Sequence, residues 1–357
     1  MRILYGVVGS GMGHAIRSSV VIRKLIDEGH EVHIVASGGA VGFLKQRFGG
    51  VTEIWGLDMV VVDNEVDKLM TAAQNAKGLL KRLPANVREF FEVESEFAPE
   101  VVISDFETWS WMFGKFHGRP IICIDNIQII NRCTHAPEIL EGEEDNFQIA
   151  KSIVKARTPR ANEYLITTFF HPPVRKKRTR LVPPILRPSI LEAKVETGDH
   201  VLVYQTSDSF KTLPDMLKQL DVPVLVYGLR RGLESDQVDG NLVYRPFSDT
   251  QFVEDLATCS GVIASAGFTL MSEAVHLGKP YLATPVGGQF EQILNARYLK
   301  SLGYGSYEMS LTPEALVAFT RERERYQANL ATYERHDNTV TLEALDHFLN
   351  KVAAGLI

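Results

Sequence analysis

Short apolar runs that end in polar or glycine-rich turns recur along the chain, with helical patterns between them. The first run covers residues 3–8 and enters a turn at 9–13, and a helical pattern at 18–28 and a second apolar run at 31–36 follow. Apolar runs of about four to eight residues are typical of buried parallel strands, and parallel strands need a helical crossover between them. The alternation therefore predicts βαβ units that build a parallel sheet with helices outside it.

The same alternation is present on both sides of a proline-rich break at Pro183, Pro184 and Pro188. Further strands are predicted at residues 101–104, 121–124, 201–204, 224–227, 241–244, 262–264 and 281–283. A helix is predicted at 109–117, and two more follow Thr312, which is a sound helix start because Pro313 comes next.

The chain has 357 residues, which is too long for one ordinary core. We therefore expect an α/β fold of two Rossmann-like domains with a deep cleft between them. The expected segments are an N-terminal domain at 1–185, a Pro-rich linker at 186–198, a C-terminal domain at 199–335 and a terminal helix at 336–357. Whether this last helix packs back on the N-terminal domain is left open.

The formal net charge of -6 gives no global attraction to nucleic acid, so we expect no nucleic-acid partner. One local basic run consists of Arg175, Lys176, Lys177, Arg178 and Arg180. This run could contact lipid phosphates at a membrane surface, bind an anionic acceptor or form a solvated loop.

The cysteines Cys123, Cys133 and Cys259 are widely spaced and have neither disulfide nor zinc-site spacing, so we expect reduced thiols. The N-terminus enters the first strand without an apolar leader, and no run reaches about 18 apolar residues. We expect a cytoplasmic protein, with peripheral contact to the inner face of the membrane as an open alternative. No Asp-x-Asp occurs, and no cluster has metal-ligand spacing, so we expect no metal ion.

The most informative motif is SAGFTLMSEA at residues 265–274, which follows the apolar run at 262–264. Small residues after a strand let a diphosphate approach the backbone amides of the next helix, where the helix dipole favours an anion. Thr269 adds a hydroxyl donor there. Glu273 lies one helical turn later on the same face, where a carboxylate can accept both hydroxyls of a ribose. The motif therefore predicts a nucleoside diphosphate site.

Three further pieces follow in order, namely Gly-Lys-Pro at 278–280, Pro285 and Glu-Gln-Ile-Leu-Asn-Ala at 291–296. The ordered pattern resembles the donor-binding segment of GT-B glycosyltransferases, notably the peptidoglycan GlcNAc transferase group and the enzymes that glycosylate small molecules. The resemblance implies a nucleotide-sugar co-substrate, UDP or TDP favoured, and no other cofactor. The donor-binding residues implied by it are Ser265, Gly267, Phe268, Thr269, Glu273, Glu291, Gln292, Asn295, Phe247, Thr206 and Ser207. Taken alone, Glu273 could also be a charged residue on a helix surface, and Asn295 could also be a helix-capping residue.

The turn after the first strand reads GSGMGHAIR at residues 9–17. It is no dinucleotide fingerprint, because His14 replaces the third glycine and the second strand ends without an acidic residue. It resembles the first glycine-rich loop of the same GT-B families, which includes Gly11 and Gly13 and faces the cleft. The peptidoglycan enzymes more often have Gly-Gly-His, so Met12 is a departure.

His14 is our candidate general base, because a hydroxyl nucleophile must lose its proton as it attacks the anomeric carbon. Asp105 ends a predicted strand at the same sheet edge and could orient His14, a pairing similar to the His and Asp dyad of small-molecule glycosyltransferases. The alternatives are a helix-capping His14 and an Asp105 that caps the next helix. Arg17 either binds an acceptor phosphate or carboxylate, or lies on a helix face.

We therefore expect an inverting, metal-independent transferase that moves a hexose-type sugar from a nucleoside diphosphate to an acceptor hydroxyl. The acceptor would be a lipid-linked or cell-envelope precursor or a small molecule. The rival functions are a nucleotide-sugar hydrolase or 2-epimerase on the same fold, and a non-catalytic nucleotide-sugar binding protein.

Overall fold

The structure is a computed structural model that describes residues 1–56, 61–62, 65–206, 212–230 and 232–357. The strands in this part of the chain are β1 (Arg2–Val7), β2 (Glu31–Ala36), β3 (Val51–Glu53), β4 (Val61–Val62), β5 (Glu65–Val66), β6 (Val101–Asp105), β7 (Ile121–Asp125), β8 (Glu163–Thr167), β9 (Thr179–Val182), β10 (Val201–Tyr204), β11 (Val224–Tyr227), β12 (Gln237–Asp239), β13 (Leu242–Arg245), β14 (Gly261–Ala264), β15 (Tyr281–Ala283) and β16 (Gly305–Tyr307). The helices are α1 (Met12–Asp27), α2 (Gly39–Lys45), α3 (Lys68–Glu96), α4 (Thr108–Phe116), α5 (Ile129–Arg132), α6 (Pro137–Leu140), α7 (Glu144–Arg157), α8 (Pro188–Leu191), α9 (Leu213–Leu217), α10 (Asp249–Thr258), α11 (Phe268–His276), α12 (Phe290–Ser301), α13 (Pro313–Leu330) and α14 (Thr339–Ala353).

The described residues divide into two compact units. The first consists of the described parts of Met1–Val60, Asp67–Arg187 and His336–Ile357, and the second of those in Val61–Val66 and Pro188–Arg335. The β4–β5 hairpin thus belongs to the second unit, although its sequence position lies within the expected N-terminal domain. In the second unit the Val66 amide donates to the Gly287 carbonyl oxygen at 2.9 Å, which anchors the hairpin there.

The first unit is built on a seven-stranded sheet of order β3-β2-β1-β6-β7-β8-β9, with every neighbouring pair parallel. One face carries a core of side chains from α1, α2 and the C-terminal helix α14, including Ile22, Leu345 and Phe348. The other face packs against α3 and α4, with Trp109 and Phe113 in its core. Helices therefore cover both faces, as the continuous apolar strands predicted.

The second unit has a seven-stranded sheet of order β12-β13-β11-β10-β14-β15-β16, in which only the β12–β13 pair is antiparallel. Its core joins α9 and α13 to the strands and includes Leu217, Leu316 and Phe319. Helix α13 begins as expected, because the Thr312 hydroxyl accepts from the Ala315 amide at 3.2 Å. The predicted α/β class is confirmed.

One helix prediction differs from the structure. Helix α1 begins at Met12 rather than at residue 18, because Gly11 adopts φ +82° as the N-cap and turns the chain directly from β1 into the helix. The long helix α3 has no counterpart among the predicted helices, and it contains Pro84 in its interior. Among the described residues, no helix is both long and apolar enough to span a bilayer.

Candidate active site

A buried polar cluster lies at the carboxyl end of the first sheet. His14 is the third residue of α1, which follows β1, and Asp105 is the last residue of β6, which pairs with β1 so that Val7 stands opposite Asp105. His14 Nδ1 lies 2.8 Å from Asp105 Oδ1. The structure therefore brings together the two residues that the sequence analysis selected as base and orienting carboxylate.

Arg17 completes this cluster, because it lies three residues after His14 on the same face of α1. Its Nε donates to Asp105 Oδ2 at 2.9 Å, and its Nη1 donates to Asn126 Oδ1 at 3.2 Å. Its Nη2 reaches both Asp105 Oδ1 and His14 Nδ1, the latter at 2.6 Å. Arg17 is only 3% exposed. The guanidinium is therefore buried on one face of α1 and hydrogen-bonded within the cluster, and acceptor binding by Arg17 stays a prediction.

The carboxylate of Asp105 is fully buried, and burial alone would raise its pKa. The positive charge of Arg17, the neighbouring His14 and their hydrogen bonds outweigh burial and hold the pKa of Asp105 at about 2. Ser18 adds a fourth donor, its hydroxyl lying 2.9 Å from Asp105 Oδ2. Asp105 is therefore ionised throughout the neutral pH range.

The helix-capping alternatives for these residues are wrong. Helix α4 is capped by Glu107, whose carboxylate accepts from the Trp109 and Ser110 amides at 2.9 and 2.6 Å. Helix α1 has Gly11 as its N-cap, with Gly13 in its first turn, so His14 lies inside the helix. Asn126 follows β7 and accepts a hydrogen bond from Arg17. Sequence reasoning left it without a role, although its position directly after a strand was a signal for a site residue.

In the second unit, the turn at residues 265–267 links β14 to α11. Two side chains donate hydrogen bonds to this turn. The Tyr281 hydroxyl donates to the Ser265 carbonyl oxygen at 2.6 Å, and Asn295 Nδ2 donates to the Ala266 carbonyl oxygen at 3.2 Å. Gly267 is the N-cap of α11 and, as a glycine, forms no side-chain cap hydrogen bond. The turn thus places the N-terminus of α11 directly after the carboxyl end of β14.

Three predicted donor-binding residues, Phe268, Thr269 and Glu273, lie on α11 and differ in solvent exposure. Thr269 is half-buried, whereas Phe268 and Glu273 are buried, Glu273 being 2% exposed. Burial, the nearby Tyr204 and the charge of Glu273 together raise the pKa of the Tyr281 phenol. Glu273 therefore lies near the side chain that supports the turn, rather than on an open surface.

Two other predicted donor residues are engaged in supporting local structure. Asn295 is fully buried, so its contact with the turn at Ala266 gives it a positioning role where direct donor contact was expected. Gln292 Oε1 accepts from the Val286 amide at 3.0 Å, and its Nε2 donates to Gln289 Oε1 at 2.8 Å. Glu291 is half-buried in the first turn of α12.

The remaining predicted donor residues follow other strands of the same sheet. Phe247 comes after β13 and is 70% exposed, and Thr206 comes after β10 and is exposed. Ser207 lies outside the described residues. Phe247, Thr206 and the turn at 265–267 thus lie at the carboxyl ends of strands in the second sheet, where α/β sheets bind ligands. Within the described ranges, no group of three or more His, Cys, Asp or Glu side chains could hold a metal ion.

Two mostly parallel seven-stranded sheets with helices on their faces are the architecture of the GT-B fold. The sequence model of Glycosyl transferase family 1 matches residues 1–322. The chain belongs to that family and is a glycosyltransferase.

Relatives and solved structures agree with this assignment. An "uncharacterized glycosyltransferase" of Methanosarcina acetivorans is 23% identical to this chain, and the alignment covers 90% of this chain and 89% of the relative. The spinosyn rhamnosyltransferase SpnG complexed with thymidine diphosphate has a TM-score of 0.62 at 16% identity, covering 98% of this chain and 100% of its own. UGT2 of Phytolacca americana, complexed with UDP-2fluoro-glucose and pterostilbene, has a TM-score of 0.65 at 13% identity, covering 99% of both chains. The structural likeness shows the shared fold.

Proposed function

We propose that this glycosyltransferase transfers a hexose-type sugar from a nucleoside diphosphate to an acceptor hydroxyl with inversion at the anomeric carbon. The observation that carries the proposal is the 2.8 Å contact between His14 Nδ1 and the ionised Asp105. Asp105 Oδ1 and Arg17 Nη2 both face Nδ1, at 2.8 and 2.6 Å. Because these two groups occupy Nδ1, Nε2 would be the ring nitrogen that takes the proton of the acceptor. One such displacement inverts the anomeric centre.

The departing diphosphate would be stabilised by the second unit. Helix α11 begins at the turn at 265–267 with a glycine as its N-cap, and the helix dipole favours an anion at that end. The half-buried Thr269 would add its hydroxyl to the backbone amides there. Such stabilisation by fixed dipoles would make a divalent ion unnecessary, which is why the proposed mechanism is metal-independent.

The donor would be a UDP or TDP sugar. Thymidine diphosphate in one structural neighbour and UDP-2fluoro-glucose in another support this choice. The exposed ring of Phe247 offers an apolar face for the base. Glu273 would hold the ribose, and Glu291 and Gln292 the hydroxyls of the sugar.

The acceptor would be a lipid-linked or cell-envelope precursor or a small molecule, and the protein would act in the cytoplasm. Contact with the inner face of the membrane would use the exposed residues of the basic run, Arg175, Lys177, Arg178 and Arg180. Such contact would bring the enzyme to a lipid-linked acceptor.

A thermal-shift screen of nucleoside diphosphates and their sugars tests the donor assignment, because a ligand that binds only the folded state raises the melting temperature. We expect UDP or TDP to raise the Tm of the wild type, and Glu273→Ala and Glu273→Gln to abolish the rise. Glu314→Ala changes an exposed carboxylate at the start of α13 in the same unit and should keep the full rise. A wild type that responds to no nucleotide would contradict the donor assignment.

A further inference from the structure

A cavity lined by basic residues lies in the first unit. It is a cavity of about 310 Å³ whose lining contains five cationic side chains and no carboxylate. The lining residues are Asn131, Arg132, Lys155, Pro159, Arg160, Ala161, Tyr164, Lys176 and Arg178. The sequence run from 175 to 180 supplies only Lys176 and Arg178, and the other cations come from α5, α7 and the segment before β8.

This cavity is separate from the His14 cluster. Arg160 and Ala161 lie within three residues of the start of β8, and Arg178 directly precedes β9, so these residues lie at the amino ends of two parallel strands. His14 and Asp105 lie at the carboxyl ends of strands in the same sheet. Since all strands of this sheet are parallel, the two sites lie at opposite ends of the strands.

Arg132 gives the cavity a fixed wall. It is 7% exposed, and its guanidinium lies 3.5 Å from the centre of the Tyr164 ring. Its Nε donates to Thr179 Oγ1 at 2.7 Å and its Nη2 to the Lys177 carbonyl oxygen at 2.6 Å. These neutral partners orient the guanidinium without neutralising its charge.

Across the described part of the chain, none of the five cations forms an ion pair with a carboxylate. Lys176 donates instead to Asn131 Oδ1 at 2.5 Å. Burial and the repulsion of Arg175, Arg132, Lys155 and Lys151 lower the pKa of Lys176 to about 8. Clustered like charges of this kind cost free energy until an anion joins them.

We propose that this cavity binds a phosphate group. A tetrahedral phosphate offers several acceptor oxygens to lysine and arginine donors that converge from different elements, and planar guanidinium groups suit it. A free phosphate or phosphate ester and the headgroup of an anionic lipid share this chemistry. The binding is independent of the donor reaction, because none of the lining residues belongs to the His14 cluster or to the second unit.

The test measures binding of inorganic phosphate by calorimetry, with sodium chloride replacing phosphate to keep ionic strength constant. We expect saturable binding to the wild type, weakened by about tenfold or more in the double variant Lys155→Gln/Lys176→Gln, since each lost charge removes a charge-assisted contact. The matched control Lys45→Gln/Lys81→Gln changes two exposed lysines of the same unit outside the cavity and should bind as the wild type does.

Vesicles distinguish the two sources of phosphate. Sedimentation with vesicles of phosphatidylcholine and phosphatidylglycerol, compared with phosphatidylcholine alone, measures headgroup binding. Cosedimentation that requires phosphatidylglycerol and is lost in the Lys155→Gln/Lys176→Gln variant supports a lipid ligand, and phosphate binding without cosedimentation supports a soluble one. The proposal is overturned if the wild type binds neither probe, or if the double variant binds both as the wild type does. A failed nucleotide screen would leave these outcomes unchanged.

Discussion

Replacing Asp105 by Asn removes one charge from a fully buried cluster while keeping the side-chain shape. The pKa of Asp105 is about 2 instead of the usual 3.8. At ~1.4 kcal/mol for each pKa unit, this difference corresponds to about 2 kcal/mol of stability at neutral pH. The variant also leaves the guanidinium of Arg17 without its carboxylate, and breaking a buried ion pair costs about 3–5 kcal/mol. We therefore expect Asp105→Asn to lower the free energy of unfolding by about 2–5 kcal/mol.

Urea denaturation at 25 °C measures this loss, and its pH dependence identifies the cause. The folded pKa is depressed, so the stabilisation is complete above the unfolded pKa of 3.8 and is lost as the pH falls through about 2. About half of the pH-linked part should be gone at about pH 3.

The double variant Asp105→Asn/Arg17→Met tests whether the two residues act as a pair. Since it removes both charges, it should lose less stability than the sum of the single variants, by about 1–3 kcal/mol. Asp27→Asn changes an exposed carboxylate at the end of α1, the helix that carries Arg17, and should stay within about 0.5 kcal/mol of the wild type. Strict additivity, or a loss from Asp105→Asn no larger than that from Asp27→Asn, would refute the reasoning.

Three further predictions concern the reaction and the fold. His14→Gln should slow sugar transfer by about 10²–10⁴-fold while keeping the nucleotide-induced rise in Tm, because it removes the base but leaves the second unit intact; equal loss of both would contradict the assigned role. Asn295→Ala should cost about 1–3 kcal/mol in urea denaturation and reduce the nucleotide-induced rise in Tm, because the turn at Ala266 loses its buried donor; an unchanged nucleotide response would mean that the turn does not bind the donor. Gly305→Ala should strongly destabilise the fold, because the new Cβ would lie 1.9 Å from the Tyr281 carbonyl oxygen. Gly42→Ala has open space in α2 and should instead stabilise the fold by roughly 0.5–1 kcal/mol. Thermal melts of the two variants measure both effects.

The sequence by itself determined the fold class and the local motifs. Buried parallel strands read as short apolar runs, so β1, β10 and β14 could be placed from composition and turns alone. The SAGFTLMSEA motif was readable for the same reason, since its strand, turn and helix are contiguous in the chain. Thr312 could be identified as a helix cap because capping depends on residues a few positions away.

Only the tertiary structure decided which side chains meet. Arg17 and Asp105 are 88 residues apart in the chain, so their pairing follows from the alignment of β1 and β6. Asn295 is 29 residues from Ala266, and its burial assigns it to the turn. The basic cavity likewise draws Arg132 and Lys176 from separate segments. Periodicity reports the exposed face of one element, whereas charge pairing and burial depend on neighbours that only the folded sheet brings into contact.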